Sequence, residues 1–81
     1  MVFRAAEQDD AVSQMRVGWA YSTGKLVPKD LVKAYIWFLF ADTQGYERAK
    51  EALDMTIKYL SSGQIAEAER LAVRWRKIRE D

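Results

Sequence analysis

A glycine inside an otherwise unbroken helical pattern sets the tightest limit on how this chain can fold. Gly18 sits between Met15-Arg16-Val17 and Trp19-Ala20-Tyr21, and nothing signals a helix end before Gly24. Glycine in a helix interior costs about 1 kcal/mol relative to alanine, so a close approach must require the missing side chain. The residues that follow supply one. Ser13, Val17-Gly18, Tyr21, Gly24, Val27-Pro28, Asp30, Ala34, Trp37-Phe38, Ala41, Gly45 and Ala49 have the spacing of two antiparallel helices that meet along a seam of small side chains. The second helix is expected to cross the first at Gly18, with Ala34 and Ala41 as the matching small positions and Tyr21 and Trp37 filling the wedge.

Local signals place four helices. A carboxylate at Asp9 or Asp10 can accept the free amides of a first turn, and that helix should run to about residue 22 and stop at Gly24. Val27-Pro28 forces extended backbone, and Asp30 caps a second helix that reaches about residue 43 and ends at Gly45. A third helix covers residues 46–60. Ser61-Ser62-Gly63-Gln64 has the Ser-x-x-Gln form of a capping box. It opens a fourth helix whose Ile65, Ala68, Leu71, Ala72, Trp75 and Ile78 recur at helical spacing.

The pattern also repeats within the chain. A shift of 36 residues lays Ala5 on Ala41, Gln8 on Gln44, Ser13 on Ala49 and Val17 on Leu53, so small meets small and apolar meets apolar. Residues 3–9 then imitate the end of a preceding second helix, residues 10–45 form one complete repeat, residues 46–60 begin another, and residues 61–81 close the stack. These spacings resemble the Sel-one-like repeat, a relative of the tetratricopeptide repeat. The chain departs from that family at Leu26, where the loop carries a second glycine, and at Asp42, where the second helix carries a second alanine. The resemblance implies an all-α fold, a short right-handed α-solenoid of about four helices in tetratricopeptide-like hairpins with a C-terminal capping helix. It further implies an adaptor or scaffold that binds other proteins.

Length and charge narrow the rest. A single domain of 81 residues buries only about 60–65% of the surface its unfolded chain exposes, so its core is marginal. Repeat arrays commonly need about three units, which leaves self-association or membership of a longer array as sources of stability. Thirteen basic and 12 acidic side chains leave no overall field for nucleic acid or an anionic membrane. No run approaches the roughly 20 apolar residues that span a bilayer, and the N-terminus lacks a signal-peptide core. A soluble, cytoplasmic chain is expected, unless these residues were cut from a longer secreted protein.

Catalytic chemistry finds little to work with. Histidine and cysteine are absent, so the commonest general base, thiol nucleophiles and thiolate metal sites are all missing. Asp9 and Asp10 read as helix caps, and Glu80-Asp81 as a tail. The stretch from Gly18 to Leu26 faintly echoes a phosphate-binding loop, but it has five residues between its glycines and lacks the final hydroxyl. No serine has a partner base. Neither a cofactor, a metal nor enzymatic activity is expected. Arg70, Arg74, Arg76, Lys77 and Arg79 complement the dipole of the last helix or attract an acidic protein partner; with no interleaved aromatic but Trp75, which belongs to the apolar stripe, they make a poor nucleic-acid surface.

Two surfaces remain. Val12, Arg16 and Trp19 form a stripe at i, i+4 and i+7, and the internal shift adds Arg48, Ala52 and Met55 beside them, with Tyr59 following. Tryptophan, arginine, methionine and tyrosine are the residue types enriched at interface anchors. Val12, Arg16, Trp19, Arg48, Met55 and Tyr59 are therefore the expected lining of a concave groove for a peptide or partner helix. The second surface is the nearly all-round apolar second helix. Ile36 and Phe40 are expected to pack against the closing helix, whereas Leu39 falls where such repeats place a polar residue. An exposed ridge of Ile36, Leu39 and Phe40 would serve a homodimer, or an inhibitor or regulatory subunit that blocks a larger enzyme.

Overall fold

Asp10 starts the first helix by accepting the Val12 amide at 3.1 Å, and its second oxygen receives the Ser13 hydroxyl at 2.9 Å. A computed structural model describes the backbone of residues 10–80 and the side chains of residues 10–75. Within these bounds the protein consists of α1 (Ala11–Thr23), α2 (Leu31–Thr43), α3 (Glu47–Ile57) and α4 (Ser62–Glu80), with no strand among the described residues. The segment expected to imitate a preceding helix, residues 3–9, lies outside them, as does the side chain of Ile78.

The punctuation follows the sequence closely. Gly24 takes a left-handed φ of 73° and donates to Ala20 O at 2.8 Å, which closes α1. The connecting loop is pinned by Asp30 N donating to Tyr21 O at 2.9 Å, and the Asp30 carboxylate caps α2 by accepting Lys33 N at 3.1 Å. At the end of α2, Gly45 takes a φ of 80° while Gly45 N bonds Asp42 O and Tyr46 N bonds Ala41 O, a Schellman closure. The capping box forms in both directions: Gln64 N donates to Ser61 Oγ at 3.1 Å, and Ser61 N donates to Gln64 Oε1 at 2.9 Å. Only α3 is shorter than expected. It ends at Ile57, because the chain must turn over residues 58–61 to enter α4.

Helix α2 packs closely on each of the other three helices, which accounts for its apolar residues on every side. On one side Ala34, Phe38 and Ala41 meet Met15 of α1 and Ala49 and Ala52 of α3. On the other, Tyr35, Ile36, Trp37 and Phe40 meet Val17 of α1 and Ala68 and Ala72 of α4. Alanines of α3 and α4 share these clusters with the aromatics of α2, and Ala34 and Ala41 of α2 share one with Met15 of α1, so the backbones approach while the space stays filled. Each fully buried large side chain contributes about 1.5–3 kcal/mol.

The expected seam exists, with one correction. Phe38, not Trp37, fills the space at Gly18: a Cβ built at position 18 would lie 2.6 Å from Phe38 Cδ1. Trp37 belongs to the side that faces α4, where its ring centroid stands 5.4 Å from Phe40 and 6.0 Å from Trp75. A polar pair crosses the same interface. Gln14, fully buried on α1, accepts Gln44 Nε2 at 2.7 Å from the end of α2.

Candidate functional site

Helices α1 and α3 flank α2, and the furrow between them is lined by the stripe read from the sequence. Val12, Arg16 and Trp19 form the α1 wall, because positions i, i+4 and i+7 share one helix face. Arg48 and Met55 stand on the α3 wall with Glu47 and Glu51, and Met15 and Ala52 lie between the walls. Together they enclose an open depression of about 690 Å³. A second depression of about 190 Å³ adjoins it, shares Trp19 and Met55, and continues past Lys29 and Leu31 to Tyr59. Five of the six expected groove residues therefore line the larger depression, and Tyr59 lines the smaller.

Trp19 joins the two depressions, and its surroundings explain how it stays presented. Its indole packs edge-on against Phe38 with centroids 5.1 Å apart and planes at 65°, yet remains 40% exposed. Phe38 is completely buried beneath it. Gly18 thus has two consequences: it admits Phe38 to the α1–α2 seam, and Phe38 in turn supports Trp19 from below. The Trp19 carbonyl accepts the hydroxyls of Ser22 at 3.1 Å and Thr23 at 2.9 Å, which fixes the last turn of α1 under the site. Met55 and Tyr59 are more open, and Tyr59 is 74% exposed.

No family model, curated protein or solved structure matches this chain. Its own geometry carries the functional reading.

The furrow is amphipathic and mixed in charge: Arg16 and Arg48 share it with Glu47 and Glu51. Glu51 follows Arg48 by one helical turn, so an i, i+3 step from Arg48, beyond the internal shift that brought in Arg48, Ala52 and Met55, could have found it. Met15, three residues after Val12 and four before Trp19, was open to the same step; it is buried in the cluster with Phe38 and also lines the furrow. Lys29 reaches the site from the α1–α2 loop and Leu31 from the first residue of α2, placed by a loop whose path no periodicity describes.

On the second surface Ile36 and Phe40 pack against α4 as expected, and the alternative of an exposed ridge is corrected. Ile36 and Phe40 are buried, and Leu39 is half-buried against the same cluster, because α4 lays Ala68, Ala72 and Trp75 across them. No ridge of Ile36, Leu39 and Phe40 is left to present. Tyr35 lies in that cluster as well, and burial, with the nearby Glu69 and Asp42 carboxylates, raises its phenol pKa. Among the described residues no three acidic side chains gather where they could share a metal ion, and no helix is long and apolar enough to cross a membrane.

Proposed function

We propose that this chain is a non-catalytic protein-binding module of the Sel-one-like kind, a short solenoid whose α1/α3 furrow captures a peptide or a helix of another protein. The observation that carries this reading is the presentation of Trp19. It is a large amphipathic side chain, held rigidly on buried Phe38 and half open to solvent where two depressions meet. Such a residue offers contact area at low entropic cost, as interface anchors do. Val12, Met55 and Tyr59 extend the apolar surface along the same furrow, and Arg16 and Arg48 add polar recognition at its walls.

An inhibitor acting through the α2 ridge draws no support, because α4 would have to leave α2 before Ile36 or Phe40 could touch anything. The adaptor reading is tested by selecting displayed peptides on the wild-type chain and measuring them against Trp19→Ala. Peptides that bind through the furrow should lose most of their affinity. Peptides indifferent to Trp19, Arg48 and Met55 alike would remove the furrow as the binding surface.

A further inference from the structure

Sulfur is scarce in this chain, which holds three methionines and no cysteine. Two of the three thioethers lie within the described side chains, and their surroundings are opposite. Met15 is buried in the cluster with Ala34 and Phe38, whereas Met55 is 52% exposed on α3 and belongs to neither core cluster. The accessible sulfur also has a particular place. Trp19 and Met55 are the two residues that line both depressions of the furrow, so the thioether stands where the anchor does. A thioether is a flexible, polarizable filler of apolar contacts, and oxidation turns it into a polar, chiral sulfoxide.

We propose that Met55 is a redox-sensitive modification site: peroxide converts it to the sulfoxide, and the furrow then holds its occupant poorly. The proposal rests on the furrow being a binding site and adds a regulation to it. A sulfur lone pair forms the S–O bond to one peroxide oxygen as the O–O bond breaks, and the proton on that oxygen passes to the departing one. Sulfur gives up two electrons, the peroxide takes them, and water leaves. In the empty furrow the new S–O dipole is solvated. An occupant that covers Trp19 and Met55 strips that water, and a buried polar group without a partner is costly. The fold itself is little affected, because Met55 already faces solvent. Methionine sulfoxide is reducible by dedicated reductases, so the change is reversible.

The test treats the full chain with dilute hydrogen peroxide, maps the oxidised residues by mass spectrometry, and titrates a peptide whose capture is lost in Trp19→Ala. Met55 should gain one oxygen well before Met15, and the melt should barely move. The oxidised chain should bind the peptide roughly tenfold more weakly, and treatment with a sulfoxide reductase should restore the affinity. Met55→Leu has no thioether at this position. Its own starting affinity should survive the same peroxide, which assigns the loss to Met55 rather than to Met1 or an aromatic ring. Met15 oxidising as fast as Met55, an oxidised wild type that binds as before, an oxidised chain that unfolds, or a Met55→Leu chain that also loses affinity under peroxide would each overturn the switch. Any of these with capture still lost in Trp19→Ala leaves the furrow as a binding site without this regulation. If no selected peptide depends on Trp19, the furrow reading falls and the switch falls with it.

Discussion

Gly18 and Phe38 compete for one space: a Cβ at position 18 would stand 2.6 Å from Phe38 Cδ1 and 3.0 Å from its Cζ, nearer than real Cβ contacts come. Phe38 is fully buried and has no open side to move into. Gly18→Ala, which in an open helix would stabilise by about 1 kcal/mol, should therefore destabilise by about 1–3 kcal/mol, and Gly18→Leu by more. Combining Gly18→Ala with Phe38→Leu should cost less than the sum of the single changes, by at least about 0.5 kcal/mol. Gly24→Leu strains a left-handed cap, at about 1–2 kcal/mol, and its Cβ would press on Lys29 Cβ at 3.1 Å, a neighbour in an exposed loop that can give way. Urea melts of this set measure all four effects, and equal losses at positions 18 and 24 would remove the seam.

The polar punctuation was legible because it acts locally. Asp10, Gly24, Asp30, Gly45 and the Ser61–Gln64 box each satisfy backbone groups within a few residues, so their roles can be read without knowing the fold. The furrow was legible for a related reason, since one helical period put Val12, Arg16 and Trp19 on a common face. What escaped was non-local. Nothing near Trp37 and Phe38 says which of two adjacent aromatics turns to α1 and which to α4. Leu39 looks the same in the sequence whether α4 helps to cover it or solvent does. The Gln14–Gln44 pair joins residues 30 apart and leaves no mark in either local pattern.

The capping box gives a second prediction. Ser61→Ala removes the acceptor for Gln64 N and should cost about 1 kcal/mol. Amide exchange should quicken in the first turn of α4 while α1 and α2 keep their protection. Uniform acceleration throughout would mean that α4 does not open separately.

Helix α4 is held on α2 through Phe40, Trp37 and Trp75. Phe40→Ala should destabilise by about 3–5 kcal/mol, as deletion of a buried aromatic does, and bind more of a hydrophobic dye as the cluster opens. A loss below about 1 kcal/mol would contradict the buried placement that removes the α2 ridge from the surface.

Tyr35 makes stability sensitive to alkali. Burial first, then Glu69 and Asp42, raises its pKa, so the folded chain holds the phenol proton more tightly than the unfolded chain, where tyrosine titrates near about 10. The associated stability is complete below that value and falls as pH rises from it through the folded pKa. Tyr35→Phe has no such proton. Denaturation stepped toward high pH should show the wild type losing stability relative to Tyr35→Phe above about pH 10, and parallel curves would dismiss the effect.

The central claim concerns Trp19, and calorimetric titration of a peptide selected on the wild-type chain tests it most directly. Because Trp19 is supported by Phe38 yet 40% exposed, Trp19→Ala should melt with a loss well short of the about 3–5 kcal/mol of a buried Trp→Ala change. The same variant should bind the peptide roughly thirtyfold more weakly or worse, the effect of losing an anchor that contributes about 2 kcal/mol. Unchanged affinity in a folded Trp19→Ala chain, or a variant that unfolds outright, would contradict the account.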